Sequence, residues 1–147
     1  MTKAIQLAKK SAKQGDYALG AVIVKGTTVV AAGTTNLKHE NDPTVHAEIV
    51  AIRNACKKLK SHYLEECVLY TTHEPCPMCT SAAIWAKMDG IVFGAYIEDA
   101  EKRSSKRYSW RQIRIPSKYV VSKGVPKLKL KGGFLRKECI ELFDLAV

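Results

Sequence analysis

Four residues in two short clusters carry side chains suited to chemistry: His46 and Glu48, two positions apart, and Cys76 and Cys79 within Pro75-Cys76-Pro77-Met78-Cys79, which begins 27 residues after Glu48. An imidazole and two thiolates are ligand types that zinc prefers, and a catalytic zinc keeps three protein ligands with a fourth position open to water. Two thiolates cancel the charge of the ion and weaken it as a Lewis acid, so a neighbouring base helps to take the water's proton. Glu48 is placed to be that base. The same carboxyl, once protonated, can serve as the acid for a leaving nitrogen. The residues therefore point to attack of an activated water on an amidine-like ring carbon, with release of ammonia. A four-ligand structural zinc, completed by His39, His62, His73 or another cysteine, is the competing reading; no second Cys-x-x-Cys exists, and such a site has no use for Glu48. A thioredoxin-like redox pair leaves His46 and Glu48 unexplained, and Thr80 after Cys79 excludes a haem-attachment motif.

Two helix starts must bring these groups together. Asp42-Pro43-Thr44 reads as a cap and first turn, which puts His46 in the first turn of a helix, and Pro77 opens a second helix over residues 78–87. Cys76 and Cys79 then face one point across a helix start, where the dipole favours the thiolate form. The site is expected between two helix N-termini. The periodicity predicts a first helix over residues 2–14 ending at Gly15, a hairpin of strands 20–25 and 28–32 about Gly26-Thr27, and a polar loop over 33–41. Ile49, Ile52, Cys56 and Leu59 form the apolar stripe of the His46 helix, with Cys56 a core residue. Strands are predicted at 67–72 and 90–94, followed by a helix near 98–106, a strand near 118–121 and a helix over 135–145. Strands joined through helices run parallel, so the chain is of α/β class with a helix-covered sheet. Trp85, behind the cysteines, is a core residue or a wall of the substrate pocket, and His73 has a supporting or structural role.

The 147 residues fit a single domain, 1–147, and 46% hydrophobic content suffices for a core without disulfides. Five cysteines, an odd number that includes the Cys-x-x-Cys, suit metal ligation in a reducing compartment. No apolar run reaches membrane-spanning length and the first residues lack a signal-peptide block, so a cytoplasmic protein with no membrane partner is expected. The net charge is +10, and residues 102–137 hold 13 of the 24 Lys/Arg with no Asp or Glu. The whole positive excess lies in that tract. Lys127-Leu-Lys-Leu-Lys131 within it alternates like an amphipathic strand, so a solvated surface competes with RNA binding as its role.

Over residues 20–95, Asn41-Asp-Pro-Thr-Val-His-Ala-Glu48 and Glu74-Pro-Cys-Pro-Met-Cys79 resemble the cytidine deaminase-like superfamily, in the branch of guanine deaminases and tRNA adenosine deaminases. The resemblance implies a three-layer α/β/α sandwich around a mixed five-stranded sheet, and usually a homodimer. It implies Zn2+ held by His46, Cys76 and Cys79, with Glu48 as proton shuttle. The backbone at Ala47 and Pro75 would contact base or water, and Asn36, with Thr35 competing for the position, would bind the ring. Ala51-Ile-Arg-Asn-Ala-Cys56 and Ile84-Trp-Ala86 look like guanine deaminase, so conversion of guanine to xanthine and ammonia is the leading expectation. Glu138-Cys-Ile-Glu-Leu-Phe143 resembles the last helix of tRNA adenosine deaminases, and Tyr108, Trp110 and Tyr119 in the basic tract are candidates to stack on splayed bases. A cytosine- or cytidine-type deaminase and an RNA-binding accessory subunit complete the alternatives.

Overall fold

The computed structural model of the protein describes residues 1–103 and 112–145. Five strands form one sheet in the order β2-β1-β3-β4-β5. They are β1 Gly20–Lys25, β2 Thr28–Thr34, β3 Cys67–His73, β4 Gly90–Ala95 and β5 Lys129–Lys131. β1 is antiparallel to both β2 and β3, whereas β3–β4 and β4–β5 are parallel. Both parallel pairs join strands that follow one another in the chain through helices, as a parallel crossover requires. The helices are α1 Thr2–Lys13, α2 Leu37–Glu40, α3 Ala47–Leu59, α4 Pro77–Trp85, α5 Ile97–Arg103, α6 Ser117–Lys123 and α7 Arg136–Glu141, which runs into a 3-10 turn, Leu142–Leu145.

Each face of the sheet is covered, giving the expected three layers. Ala51, Ala55 and Ala83 of α3 and α4 pack with Ile23, Leu69 and Ile91 of the strands in one core. Ile5 and Ala8 of α1 meet Ala95, Ala100, Cys139 and Phe143 in the other. Among the described residues no helix is long and apolar enough to cross a membrane.

Close approach of helix to strand explains a departure from the predicted stripe on α3. The buried residues are Ala47, Glu48, Ala51, Ile52 and Ala55, while Leu59 is 39% exposed. The helix lies directly on β2, where a Cβ on Gly33 would run into the carbonyl of Ala47 and the N–H of Ala51. The backbone of Ala47 and Ala51 and the Cβ of Val50 occupy the space a Gly33 side chain would need, so this turn of α3 packs on β2 by its backbone, and Ala47 and Ala51 are buried there. Gly20 does the same for α1, its missing Cβ leaving room for Ala4 and Ala8 backbone.

The remaining corrections are local. Residues 118–121 are helical, in α6, not a strand: Pro116 holds the extended cap position and Val120 and Val121 follow in helical register. The fifth strand is instead the alternating Lys129–Lys131 stretch. The polar loop over 33–41 contains the short α2. Of the helix predicted over 98–106, residues 104–106 lie outside the described residues, as do Tyr108 and Trp110. The helix predicted over 135–145 is divided into α7 and the 3-10 turn.

Replacing Gly33 by Val forces the added atoms into the α3 backbone and is expected to cost about 1–3 kcal/mol, the usual scale of overpacking. Urea unfolding reads the loss, and zinc content should fall with it because Ala47 adjoins His46.

Candidate metal and catalytic centre

Both ligand clusters sit at helix caps. His46 is the N-cap of α3, with extended backbone at φ −73° and ψ 152°, so it stands just outside the helix and not in its first turn. Cys76 is the N-cap of α4, φ −63° and ψ 168°, with Pro77 at the first helical position. The extended caps turn both side chains toward the space in front of the helix ends. Cys79, one turn into α4, leans back toward the same space. Glu48 lies in the first turn of α3. The change of backbone conformation between cap and helix lets His46 and Glu48, two residues apart, address one point.

The atoms meet the requirements of a zinc site. His46 Nδ1 is 3.8 Å from Cys76 Sγ and 3.6 Å from Cys79 Sγ, and all three ligand atoms lie within 4.8 Å of one another. Tetrahedral zinc, with sulfur at about 2.3 Å and nitrogen at about 2.0 Å, separates those ligands by about 3.5 Å. No fourth His, Cys, Asp or Glu joins that cluster among the described residues. The competing structural zinc therefore lacks its fourth ligand.

Electrostatics set the protonation states. Hydrogen bonding from Cys79 and from His46 outweighs burial and lowers the Cys76 thiol to about 4. His46 is raised by its bond to Cys76. Glu48 is buried, and loss of solvent pushes its carboxyl above the ordinary range, against the pull of His46. Its Oε1 accepts the Thr71 hydroxyl at 2.9 Å, and its Oε2 lies 3.7 Å from Cys79 Sγ. Thr71 holds the carboxyl on the metal side of α3. Its signal in the sequence is a polar residue in phase with buried Cys67 and Leu69 on β3. His73, at the end of β3, meets Phe143 edge-on at 5.4 Å, and burial pushes its pKa down to about 4, so the ring is neutral.

A cavity of about 70 Å³ opens at the centre, with His46, Glu48 and Cys76 on its floor and Leu19, Ile97, Gln112 and Ile113 on its walls. None of these four wall residues was singled out by the sequence, because they come from segments far apart in the chain. Asn36 does not line it: its side-chain amide donates to Glu40 at 2.6 Å and its N–H to the Val45 carbonyl at 3.3 Å. Thr35 is buried against Ser11 and donates to the Tyr17 carbonyl. Ala47 is fully buried at the start of α3, and the Pro75 carbonyl accepts the Thr80 hydroxyl at 3.1 Å. Trp85 is neither core nor cavity wall. It is 82% exposed at the far end of α4, beside Val120 and Lys123 of α6.

Similarities to known proteins bear on the assembled site. Residues 1–95 match the model of the cytidine and deoxycytidylate deaminase zinc-binding region. The chain is 42% identical over 99 residues to guanine deaminase from Bacillus subtilis, covering 67% of this chain and 64% of that protein, so it spans less than two thirds of that relative. It is 35% identical over 144 residues to a tRNA-specific adenosine deaminase of Buchnera aphidicola, covering 98% and 83%. A solved structure of tRNA:A34 deaminases, 28% identical, superposes with a TM-score of 0.74 over 97% of this chain and 99% of its own.

The purified protein is expected to hold about one zinc per chain, with Cys79→Ser losing most of it. Occupancy should decline as the pH falls, because protons compete for His46, Cys76 and Cys79; metal analysis after dialysis at graded pH reads both. A cap-mounted imidazole, a cap-mounted thiolate, a second thiolate one turn on and a buried carboxyl, within a matched stretch covering more than half the chain, have one common account: the chain belongs to the family of the cytidine and deoxycytidylate deaminase zinc-binding region.

Proposed function

We propose that the protein hydrolytically removes the exocyclic amino group of a free nucleobase, with guanine the first candidate, giving xanthine and ammonia. The observation that carries this reading is the cavity. It is small and walled by Leu19, Ile97, Gln112 and Ile113, and no Lys or Arg stands among its described lining residues. A nucleic-acid substrate brings phosphates that demand cations; a free base brings none.

Zinc bound by His46, Cys76 and Cys79 would lower the pKa of a water in its open position. Glu48 accepts that water's proton. Burial has already raised its affinity for one, so it can hold the proton and then give it to the departing nitrogen. A carbon–oxygen bond forms, the carbon–nitrogen bond breaks, and the nitrogen leaves as ammonia. Thr71 keeps the carboxyl oriented throughout. The apolar side chains of Leu19, Ile97 and Ile113 exclude bulk water.

A second reading, deamination of adenosine in tRNA, is favoured by different observations. A relative matched over 98% of this chain is a tRNA-specific adenosine deaminase. Residues 102–137 carry all of the positive excess, and Tyr119 is 57% exposed among them. The proposal also includes a homodimer, for which Trp85 and Val125, 82% and 87% exposed, offer an apolar surface at the α4–α6 groove.

Ammonia release measured across guanine, adenine, cytosine, their nucleosides and a tRNA pool separates the readings. Guanine turnover that is insensitive to salt supports the free-base reading, and release from tRNA alone, falling steeply with salt, overturns it. Glu48→Gln should retain zinc while losing about 10²-fold or more in rate. Sedimentation should give twice the chain mass, and Trp85→Glu should shift it toward one.

A further inference from the structure

Glu74 lies two residues before Cys76, in the turn from β3 to α4. It is buried, at 5% exposure, and borders the cavity, yet its carboxylate serves other segments. One oxygen accepts both the N–H and the hydroxyl of Ser117, each at 2.8 Å. The other accepts the N–H of Ile97 at 3.2 Å. The Glu74 N–H itself donates to the Ala95 carbonyl at 2.7 Å. One residue thus ties the turn that presents the cysteines to the end of β4, the start of α5 and the start of α6.

The segment leading into α6, residues 112–116, has no helix or strand. Gln112 and Ile113 nevertheless form the outer wall of the cavity. Their own burial does not hold them there: Ile113 is 57% exposed and Ile115 39%. Arg114 pairs with Glu101, but its side chain is 81% exposed, and ion pairs of that kind contribute little. Gln112 reaches the Ile97 carbonyl at 3.3 Å. Ser117 is fully buried, and Glu74 takes both of its donors. Bonds to a buried carboxylate are the strong ones in this set.

We propose that Glu74 is a positioning residue that sets substrate affinity by fixing the 112–117 strap as the outer wall of the cavity, with Ile97 and Ser117 as its two anchor points. This rests on the deaminase reading above. Both Glu74 carboxylate oxygens are engaged by Ile97 and Ser117. It acts through Gln112 and Ile113, which enclose the base.

Glu74→Gln preserves size but turns an amide N–H₂ toward one of two backbone donors, so one of those bonds is lost. The expected result is a KM raised about tenfold or more for the base identified by the ammonia assay, the equivalent of one charge-assisted bond, with kcat changed less than about threefold. Zinc should stay at about one per chain. Ser117→Ala, which removes only the hydroxyl, should raise KM less. Glu74→Gln combined with Gln112→Ala should raise KM no more than the larger single change, because both act on one wall. Amide hydrogen exchange should quicken at Ile97 and Ser117 and stay unchanged in α3. That arm needs no substrate, so faster exchange with no base turned over would fault the deaminase reading and not the anchor. An unchanged KM with folded, zinc-loaded protein overturns the proposal. So does a loss of kcat that follows loss of zinc, which would make Glu74 a support of the cysteine turn alone.

Discussion

The centre depends on two helices beginning at one place. The caps of α3 and α4 are both extended, and each delivers a metal ligand into the gap between the helix ends. The two helices are anchored differently. α4 follows β3 through a three-residue turn, while α3 is pressed onto β2 through the Gly33 seam. β1 lies between those strands in the sheet, so the anchors are two strand spacings apart, about 10 Å. The register of the hairpin and of β1 on β3 therefore determines whether imidazole and thiolates meet. A ligand set that looks local in the sequence is held by long-range pairing.

The chemistry was more legible than the scaffold. His46, Glu48, Cys76 and Cys79 could be read because ligand type and short spacing carry their meaning without the fold. The first four strands in chain order could be read because β-branched runs alternate with turn residues. The stripe on α3 could not, since nothing in its own residues says that a glycine on another strand lets the helix backbone approach at Ala47 and Ala51. Val120 and Val121 suggested a strand by local preference, and the helix start at Pro116 prevailed. Trp85 shows the same limit: proximity to the cysteines along the helix suggested a pocket wall, but nine residues of α4 carry it to the opposite end. Glu74 was hidden for a different reason. A carboxylate beside two cysteines reads as part of the ligand motif, and only the distant donors of Ile97 and Ser117 reveal its other work.

The basic tract divides once the fold is known. Arg136 is paired with Asp99 through two 2.8 Å contacts and lies over the Tyr96 ring, which fastens α7 to α5. Asp99, on the acidic side of that pair, is lowered first by Arg136. Arg114 has Glu101 as its partner. Arg136 belongs to the joinery of the C-terminal third, Arg114 makes an exposed pair, and the charge of both is balanced by acids that precede residue 102.

Lys129 and Lys131 have another consequence. β5 is a three-residue strand at the rim of the sheet, hydrogen-bonded to β4, with both lysines exposed on either side of Leu130. A sheet rim is a template for adhesion, because its outward peptide groups can recruit a strand from another molecule. Shortness and repeated positive charge make such recruitment repulsive. Part of the basic tract thus has the short, charged form by which sheet rims discourage such pairing.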